Sequence, residues 1–261
     1  MTLHDFGSLA GRTVLITGGS GHIGSSVAAA CLELGARVAT ADVSGMPVLG
    51  DLAGSADFRH HVVDLGNPAA SAGVVDIVLE DFGRLDVVVA AASWMGTDTT
   101  DGWNVPFPEQ DESLWPEVLN LALTANFALV KRAAPALAAH GCGSVVFICS
   151  HYGFCGPRPS LYPETGINNI AGYAASKGGL IQLARWLSTT MAPEVRVNAL
   201  SPGGIFRDQD ARFVQRYERE TPLGRMGTED DMVGPILFLA SDLSRYMTGH
   251  NLVVDGGFSV W

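Results

Sequence analysis

Short runs of β-branched and apolar residues recur along the whole chain, each followed by a segment of helical length. No other feature restricts its folding as tightly. The runs are Val14 to Thr17, Val38 to Ala41, His61 to Val63, Val87 to Ala90, Val145 to Cys149, Val195 to Leu200 and Leu252 to Val254. The helical segments between them are Ile23 to Leu34, Ala69 to Phe82, Leu114 to Ala139, Tyr173 to Met191 and Asp230 to Ser241. Strands alternating with helices imply right-handed crossovers and a parallel sheet buried on both sides. The expected fold is therefore α/β: a doubly wound, parallel, seven-stranded sheet with helices on both faces. With 261 residues, 47% of them hydrophobic, the chain can fill such a core, and a single domain over 1–261 is expected because neither repeat nor linker interrupts the alternation.

The charge balance narrows the partners. Twenty-seven acidic residues against 16 basic ones give a net charge of -11, with no basic stripe to neutralise a phosphate backbone, so nucleic acid is not an expected partner. Neither a signal peptide nor an apolar run of about 18 residues appears in the sequence, so a cytoplasmic location and no membrane partner are expected. Cys31, Cys142, Cys149 and Cys155 lack paired spacing and read as reduced core thiols, and the seven histidines form no ligand cluster, so no metal is predicted. His60 and His61, neighbours on one strand, point to opposite faces.

The first run, Val14 to Thr17, leads through Gly18, Gly19, Ser20, Gly21, His22, Ile23 and Gly24 straight into a helix. Glycines permit a tight bend and close approach of a pyrophosphate, whose charge meets the helix N-terminus; a plain glycine-rich strand-to-helix turn would look similar. Asp42, eighteen positions after Gly24, ends the second strand. There a carboxylate accepts from an adenosine ribose and repels a 2′-phosphate, and Val43, Ser44 and Gly45 offer no cation. NAD rather than NADP is the predicted cofactor. Asp64 and Leu65, after the third strand, are candidates for the adenine edge, Asp64 serving equally well as a turn or capping carboxylate before Pro68. Ala90, Ala91 and Ala92 either let a flat cofactor lie on backbone or are simply core alanines.

Tyr173 and Lys177 open a helix four residues apart, which puts phenol and ammonium on one face, one turn apart. A fixed cation favours the phenolate form, as a proton-transferring tyrosine requires; the plain alternative is an ordinary exposed pair. Ser150, at the end of the fifth strand, is placed to donate to a substrate oxygen.

Taken together, Thr17-Gly18 with Gly21 and Gly24, Asp42, Ser150, Tyr173 with Lys177, Ser201-Pro202-Gly203-Gly204, Thr248-Gly249 and Val254-Asp255-Gly256-Gly257 resemble the short, single-domain branch of the short-chain dehydrogenase/reductase family over nearly the whole chain. The resemblance implies a Rossmann-type fold. It also implies Tyr173 as general acid/base, Lys177 holding the nicotinamide ribose, Ser150 polarising a carbonyl, and Pro202, Gly203 and Ile205 against the nicotinamide, with direct hydride transfer between a secondary alcohol or ketone and the cofactor. Three departures stand out. His22 replaces a usual glycine of the first motif; Ala90-Ala91-Ala92-Ser93 replaces the family's Asn-Asn-Ala-Gly; and Ala122 falls where the family's helix carries an asparagine that helps hold a relay water, Asn120 lying two positions away.

The long loops 153–172 and 202–228 follow strands at the ligand-binding edge. The first carries Tyr162, Glu164, Asn168 and Asn169, groups suited to a hydroxyl-rich ligand. The second carries Arg207 to Phe213, with Arg216 and Arg219 at helical spacing, read either as substrate contacts or as a solvated amphipathic helix. Stretches in both are similar to dehydrogenases of bacterial sugar and nonulosonic-acid biosynthesis, which implies a sugar, polyol or nucleotide-sugar substrate. His151 is a candidate substrate contact or proton carrier, or a packing residue. The rival readings are a non-catalytic NAD-binding or assembly protein and a non-redox epimerase- or dehydratase-like enzyme. The apolar helices and the ending Phe258-Ser259-Val260-Trp261 point to a homo-oligomer, which the resemblance makes a dimer or tetramer.

Overall fold

The computed structural model describes residues 3–94 and 100–261. One parallel sheet of seven strands organises them: β1 (Thr13–Thr17), β2 (Arg37–Asp42), β3 (Phe58–Val62), β4 (Val87–Ala90), β5 (Gly143–Ile148), β6 (Val195–Pro202) and β7 (Asn251–Val254). Their order is β3-β2-β1-β4-β5-β6-β7. The order reverses between β1 and β4, which opens a crevice beyond their carboxyl ends, the place where such sheets bind ligands.

The period of two along each strand sorts side chains onto two cores. Leu15, Val88, Val145 and Val197 bury against α3 (Pro68–Phe82), α5 (Asn126–Ala138) and α6 (Ala171–Met191). Val14, Ile16, Val87, Val89, Val146 and Leu200 bury on the other side, against α2 (His22–Glu33) and α8 (Glu229–Ala240). A third, smaller core joins Leu161 to Phe213, Tyr217, Met226 and Phe258. It fuses the loop 153–172 to α7 (Ala211–Arg219) and to the C-terminal segment. Two short helices complete the set, α1 (Leu3–Gly7) and α4 (Trp115–Leu119).

Several boundaries differ from the sequence expectation. β3 begins at Phe58 and ends at Val62, because an edge strand tolerates polar residues: Arg59 and both histidines belong to it, His60 meeting Thr40 Oγ1 at 2.9 Å and His61 meeting Asp81 at 2.8 Å. The single helix expected over Leu114 to Ala139 is three pieces, α4, a π-turn at Asn120–Ala125, and α5. The wide turn displaces main-chain bonds, and the Asn126 amide compensates by donating to Ala122 O at 3.0 Å and Leu121 O at 3.4 Å. The helix α6 starts at Ala171, two residues before Tyr173, because Gln110 caps it from a distant segment, accepting from Ala171 N at 3.0 Å and donating to Asn169 O at 2.7 Å. Among the described residues no helix is long and apolar enough to cross a membrane.

Candidate active site

The turn after β1 is built for close approach. Gly18 has φ 69°, and a Cβ there would lie 2.6 Å from Ala92 N; a Cβ on Gly24 would lie 2.2 Å from Gly18 O. Any side chain at either position would fill the cradle between β1, β4 and the start of α2. Gly21 caps α2 with an extended backbone, and His22, its first residue, is exposed, so the missing family glycine costs no collision there. Ile23 packs against the second core. Ser20 donates its amide to Asp42 Oδ2 at 3.1 Å and its hydroxyl to Gly45 O at 2.5 Å, while Ser44 N donates to Asp42 Oδ1 at 3.1 Å. Asp42 thus ties the glycine turn to the loop after β2 and stays at the rim of the crevice.

Asp64 closes a turn by accepting from Gly66 N at 2.9 Å; the cap of α3 is Asn67, whose Oδ1 accepts from Ala69 N at 2.9 Å and Ala70 N at 3.3 Å. Leu65 is buried in the first core. Ala91 donates its amide to Thr17 O at 3.1 Å, which continues the β1–β4 ladder by one bond. These residues fit a dinucleotide: a cradle that any Cβ would obstruct, a helix N-terminus behind it, and a ribose-height carboxylate.

At the ends of β5 and β6 the second group of candidates converges. Lys177 is 3% exposed, and its ammonium donates to Ile148 O at 3.0 Å while lying 5.5 Å from the Tyr173 ring centre. A carbonyl rather than a carboxylate receives this buried cation. Ser150 is buried as well, its Oγ accepting from Tyr152 N at 3.2 Å. Gly203 N donates to Val254 O at 2.9 Å and Gly204 N to the Tyr217 phenol oxygen at 2.6 Å, which fixes the turn after Pro202; Ile205 bridges to Gly227. An aromatic wall stands beside the start of α6. Trp103 and Trp115 lie against Gly172, and Trp94 meets Trp103 edge-on with ring centres 4.5 Å apart.

The departures resolve into geometry. Ala122 is buried within the π-turn, and Asn120 is committed to Gly66 O, so the asparagine two positions away does not stand in for it. His151 is 3% exposed, wedged against Tyr152, Tyr217 and Phe258, and burial lowers its pKa. It is a packed residue and does not reach the crevice as a contact. Of the loop residues, Tyr162 pairs its hydroxyl with that of Tyr152, and burial raises both phenols. Asn168 is used up on Asn104, donating its amide to Asn104 Oδ1 at 2.9 Å and its side chain to Asn104 O at 3.1 Å. The segment 211–219 is an amphipathic helix, as one of its two readings had it, with Phe213 and Tyr217 on the buried face. Arg216 reaches the carbonyls of Leu161 and Pro163, and Arg158 binds Glu220 together with the carbonyls of Phe258 and Trp261. Spacing of four between Phe213 and Tyr217 was the signal for that buried face; the arginine contacts had none, being made across distant segments.

Comparison with known proteins follows the same outline. A family model described as enoyl-(acyl carrier protein) reductase matches residues 19–259. The chain is 32% identical over 265 residues to sorbose reductase sou1 of Schizosaccharomyces pombe, covering 96% of this chain and 97% of that protein. It is similar to the crystal structure of a short chain dehydrogenase from Leptospira borgpetersenii serovar Hardjo-bovis with bound NAD+, at TM-score 0.86 and 32% identity over 99% of this chain and 97% of that one. A gluconate 5-dehydrogenase from Burkholderia cenocepacia in complex with NADP and tartrate is similar at TM-score 0.83 and 26% identity, with 100% of both chains covered.

Proposed function

The chain belongs to the short-chain dehydrogenase/reductase family, and from that premise we propose that it is a single-domain, NAD-dependent oxidoreductase interconverting a secondary alcohol and a ketone on a sugar, polyol or nucleotide-sugar. The observation that carries this reading is the buried ammonium of Lys177 held against a carbonyl beside Tyr173, with Ser150 at the end of the neighbouring strand. Burying an unpaired cation is costly, and the cost is understandable where the cation serves a phenol that must gain and lose a proton. Relatives that act on sorbose and gluconate support the substrate class. The part-exposed Trp94 and Trp115 offer the apolar face of a sugar ring a surface, with Trp103 buried against Trp94, and Tyr162 and Asn169 edge the loop above.

Bound in the glycine cradle, a nicotinamide dinucleotide supplies or accepts the hydride. Gly18, Ser20, Gly21, His22, Ile23 and Gly24 would hold its pyrophosphate, Asp42 its adenosine ribose, Asp64, Leu65 and Ala91 its adenine side, and Pro202, Gly203 and Ile205 its nicotinamide. In the reductive direction Ser150 donates a hydrogen bond to the carbonyl oxygen, and Tyr173 delivers the proton to that oxygen. Lys177 supports the phenolate left behind and takes part in holding the cofactor ribose. In the oxidative direction Tyr173 takes the hydroxyl proton instead. NAD is favoured because Asp42 would face a 2′-phosphate at the rim with no lysine or arginine in the loop 43–50 to offset it.

The test is turnover of keto-sugars, polyols, nucleotide-sugars and simple ketones with both cofactors. Tyr173→Phe is expected to lower kcat by about two to four orders of magnitude, and NAD is expected to exceed NADP in kcat/KM by about tenfold or more. Equal or better use of NADP would refute the cofactor assignment, and full activity of Tyr173→Phe would refute the mechanism. Nicotinamide absorbance that returns to its starting value during turnover would instead identify a non-redox enzyme on this scaffold.

A further inference from the structure

The sheet ends at the active site in an unusual rung. Cys149 N donates to Leu200 O at 2.7 Å, the last main-chain bond joining the β5 side to β6. In a parallel ladder the next carbonyl on that side belongs to the residue two further along β6, which is Pro202, and the donor that should meet it is the amide of His151. The backbone does not continue that far. It leaves the ladder at Ser150 and enters a single helical turn, His151–Gly153, closed by Gly153 N donating to Ser150 O at 2.9 Å. The imidazole takes over the rung: His151 Nδ1 lies 3.1 Å from Pro202 O.

That contact fixes the tautomer. Pro202 O only accepts, so Nδ1 carries the proton, and in the neutral ring that burial favours Nε2 is left bare. The bare nitrogen is buried and has no hydrogen-bond partner among the described residues, and the imidazole packs against the rings of Tyr152, Tyr217 and Phe258. A phenylalanine would fill this aromatic niche without leaving an orphaned acceptor, so filling space does not account for histidine here. What phenylalanine cannot supply is the Nδ1 proton. Two other bonds hold the same turn, Gly203 N to Val254 O and Gly204 N to the Tyr217 oxygen, and both tie it to β7 and α7. Among the described residues, the His151 bond alone ties it to the strand that ends in Ser150.

We propose that His151 is a positioning residue whose side chain replaces the last β5–β6 rung, freeing the backbone to turn Ser150 into the crevice while fixing Ser150 relative to the Pro202–Gly203 turn. This rests on the reading that Ser150 and that turn flank the reacting carbonyl. Hydride transfer depends on the placement of the carbonyl against its hydride partner, so loosening this link affects the chemical step more than cofactor binding.

Two measurements test it. In protein labelled with nitrogen-15 histidine, His151 is expected to show a slowly exchanging Nδ1–H, identified by its disappearance in His151→Asn. An Nε2–H tautomer, or fast exchange, overturns the proposal whether or not any sugar is turned over. In kinetics, His151→Phe is expected to lower kcat by about tenfold or more while NADH affinity stays within about twofold, and to raise the primary isotope effect with 4-deuterated NADH. His151→Asn, whose amide can donate from the Nδ1 position, is expected to recover most of the loss. Unchanged kcat in His151→Phe overturns the proposal, as does His151→Asn being as impaired as His151→Phe. His151→Leu replaces His151→Phe should the latter not fold. A wild-type protein that turns over none of the substrates defeats the functional reading and leaves the tautomer to decide this one.

Discussion

Cys149 sits immediately before Ser150, and burial pushes its thiol up to about 12 against a smaller opposing pull from Lys177; burial alone does the same to Cys31. Tyr217, buried on Phe258 with the ring planes 8° apart, is likewise pushed up to about 12 by burial, and Tyr152 is raised further by burial and by Tyr162. All four groups are neutral in the folded chain over a range in which the unfolded chain would ionise them, cysteine from about 8.5 and tyrosine from about 10. Above those values the folded state binds more protons than the unfolded one, so stability falls as pH rises. Urea unfolding under reducing conditions is therefore expected to show constant stability from pH 7 to about 8.5 and a steep decline beyond it, each such group adding a slope of up to about 1.4 kcal/mol per pH unit. Cys31→Ala should make that decline shallower, and a profile unchanged between pH 7 and 10.5 would contradict the burial argument. At this scale the placement of Ser150, of Tyr173 and Lys177, and of the Gly18 to Gly24 turn was legible in the sequence, because each depends on its own strand end or helix start. The positioning work of His151 and Tyr217 was not, since it depends on Pro202 and Gly204, some fifty and thirteen residues away.

Among the elements, the broken helix α4–α5 departs most from its sequence pattern. Apolar periodicity gave the right length and the right buried face, but periodicity does not register a π-turn, which inserts one residue without interrupting the apolar run. Asn126 marks the spot. It is 5% exposed, and a polar side chain that deep in an otherwise apolar helix is explained by the carbonyls of Leu121 and Ala122 that it satisfies. Asn126→Ala leaves both acceptors short of a donor and is expected to cost about 1–3 kcal/mol of stability, read from the urea midpoint. The turn also carries Leu123, which packs on Gly179 of α6, the helix that bears Tyr173 and Lys177. Activity should therefore fall in Asn126→Ala below the unfolding threshold too, and an unaltered midpoint would mean that packing alone holds the π-turn. The helix α7 teaches the complementary lesson: its charges were visible, but its docking through Arg216 onto the loop 153–172 depends on two segments that the sequence keeps some fifty residues apart.

For the whole molecule, the alternating pattern was enough to reach the parallel seven-stranded sheet, because each crossover has one favoured hand and each strand two faces to bury. Part of the apolar surplus that suggested self-association has an internal use, with Phe258 buried in the third core, whereas Trp261 donates its indole to Glu220 O at 2.7 Å and stays largely exposed. The rest remains outside. Phe127 and Trp186 are 39% and 54% exposed, their ring centres 6.4 Å apart, and with Leu123, Gly179 and Leu183 they line a shallow groove of about 520 Å³ between the π-turn, α5 and α6. Apolar surface of this kind on paired helices is destabilising in water and favours a self-complementary contact with the same face of a second copy. Such a contact would brace α6 from behind while its front face carries Tyr173 and Lys177. We therefore expect a homo-oligomer in solution, and expect Trp186→Glu to lower the molar mass seen by light scattering at micromolar concentration and to reduce kcat with it. A wild-type monomer at that concentration, or Trp186→Glu of unchanged mass, would place the interface elsewhere or remove it, and α6 would then owe its rigidity to its own packing on the sheet through Leu180, Ile181, Ala184 and Leu187.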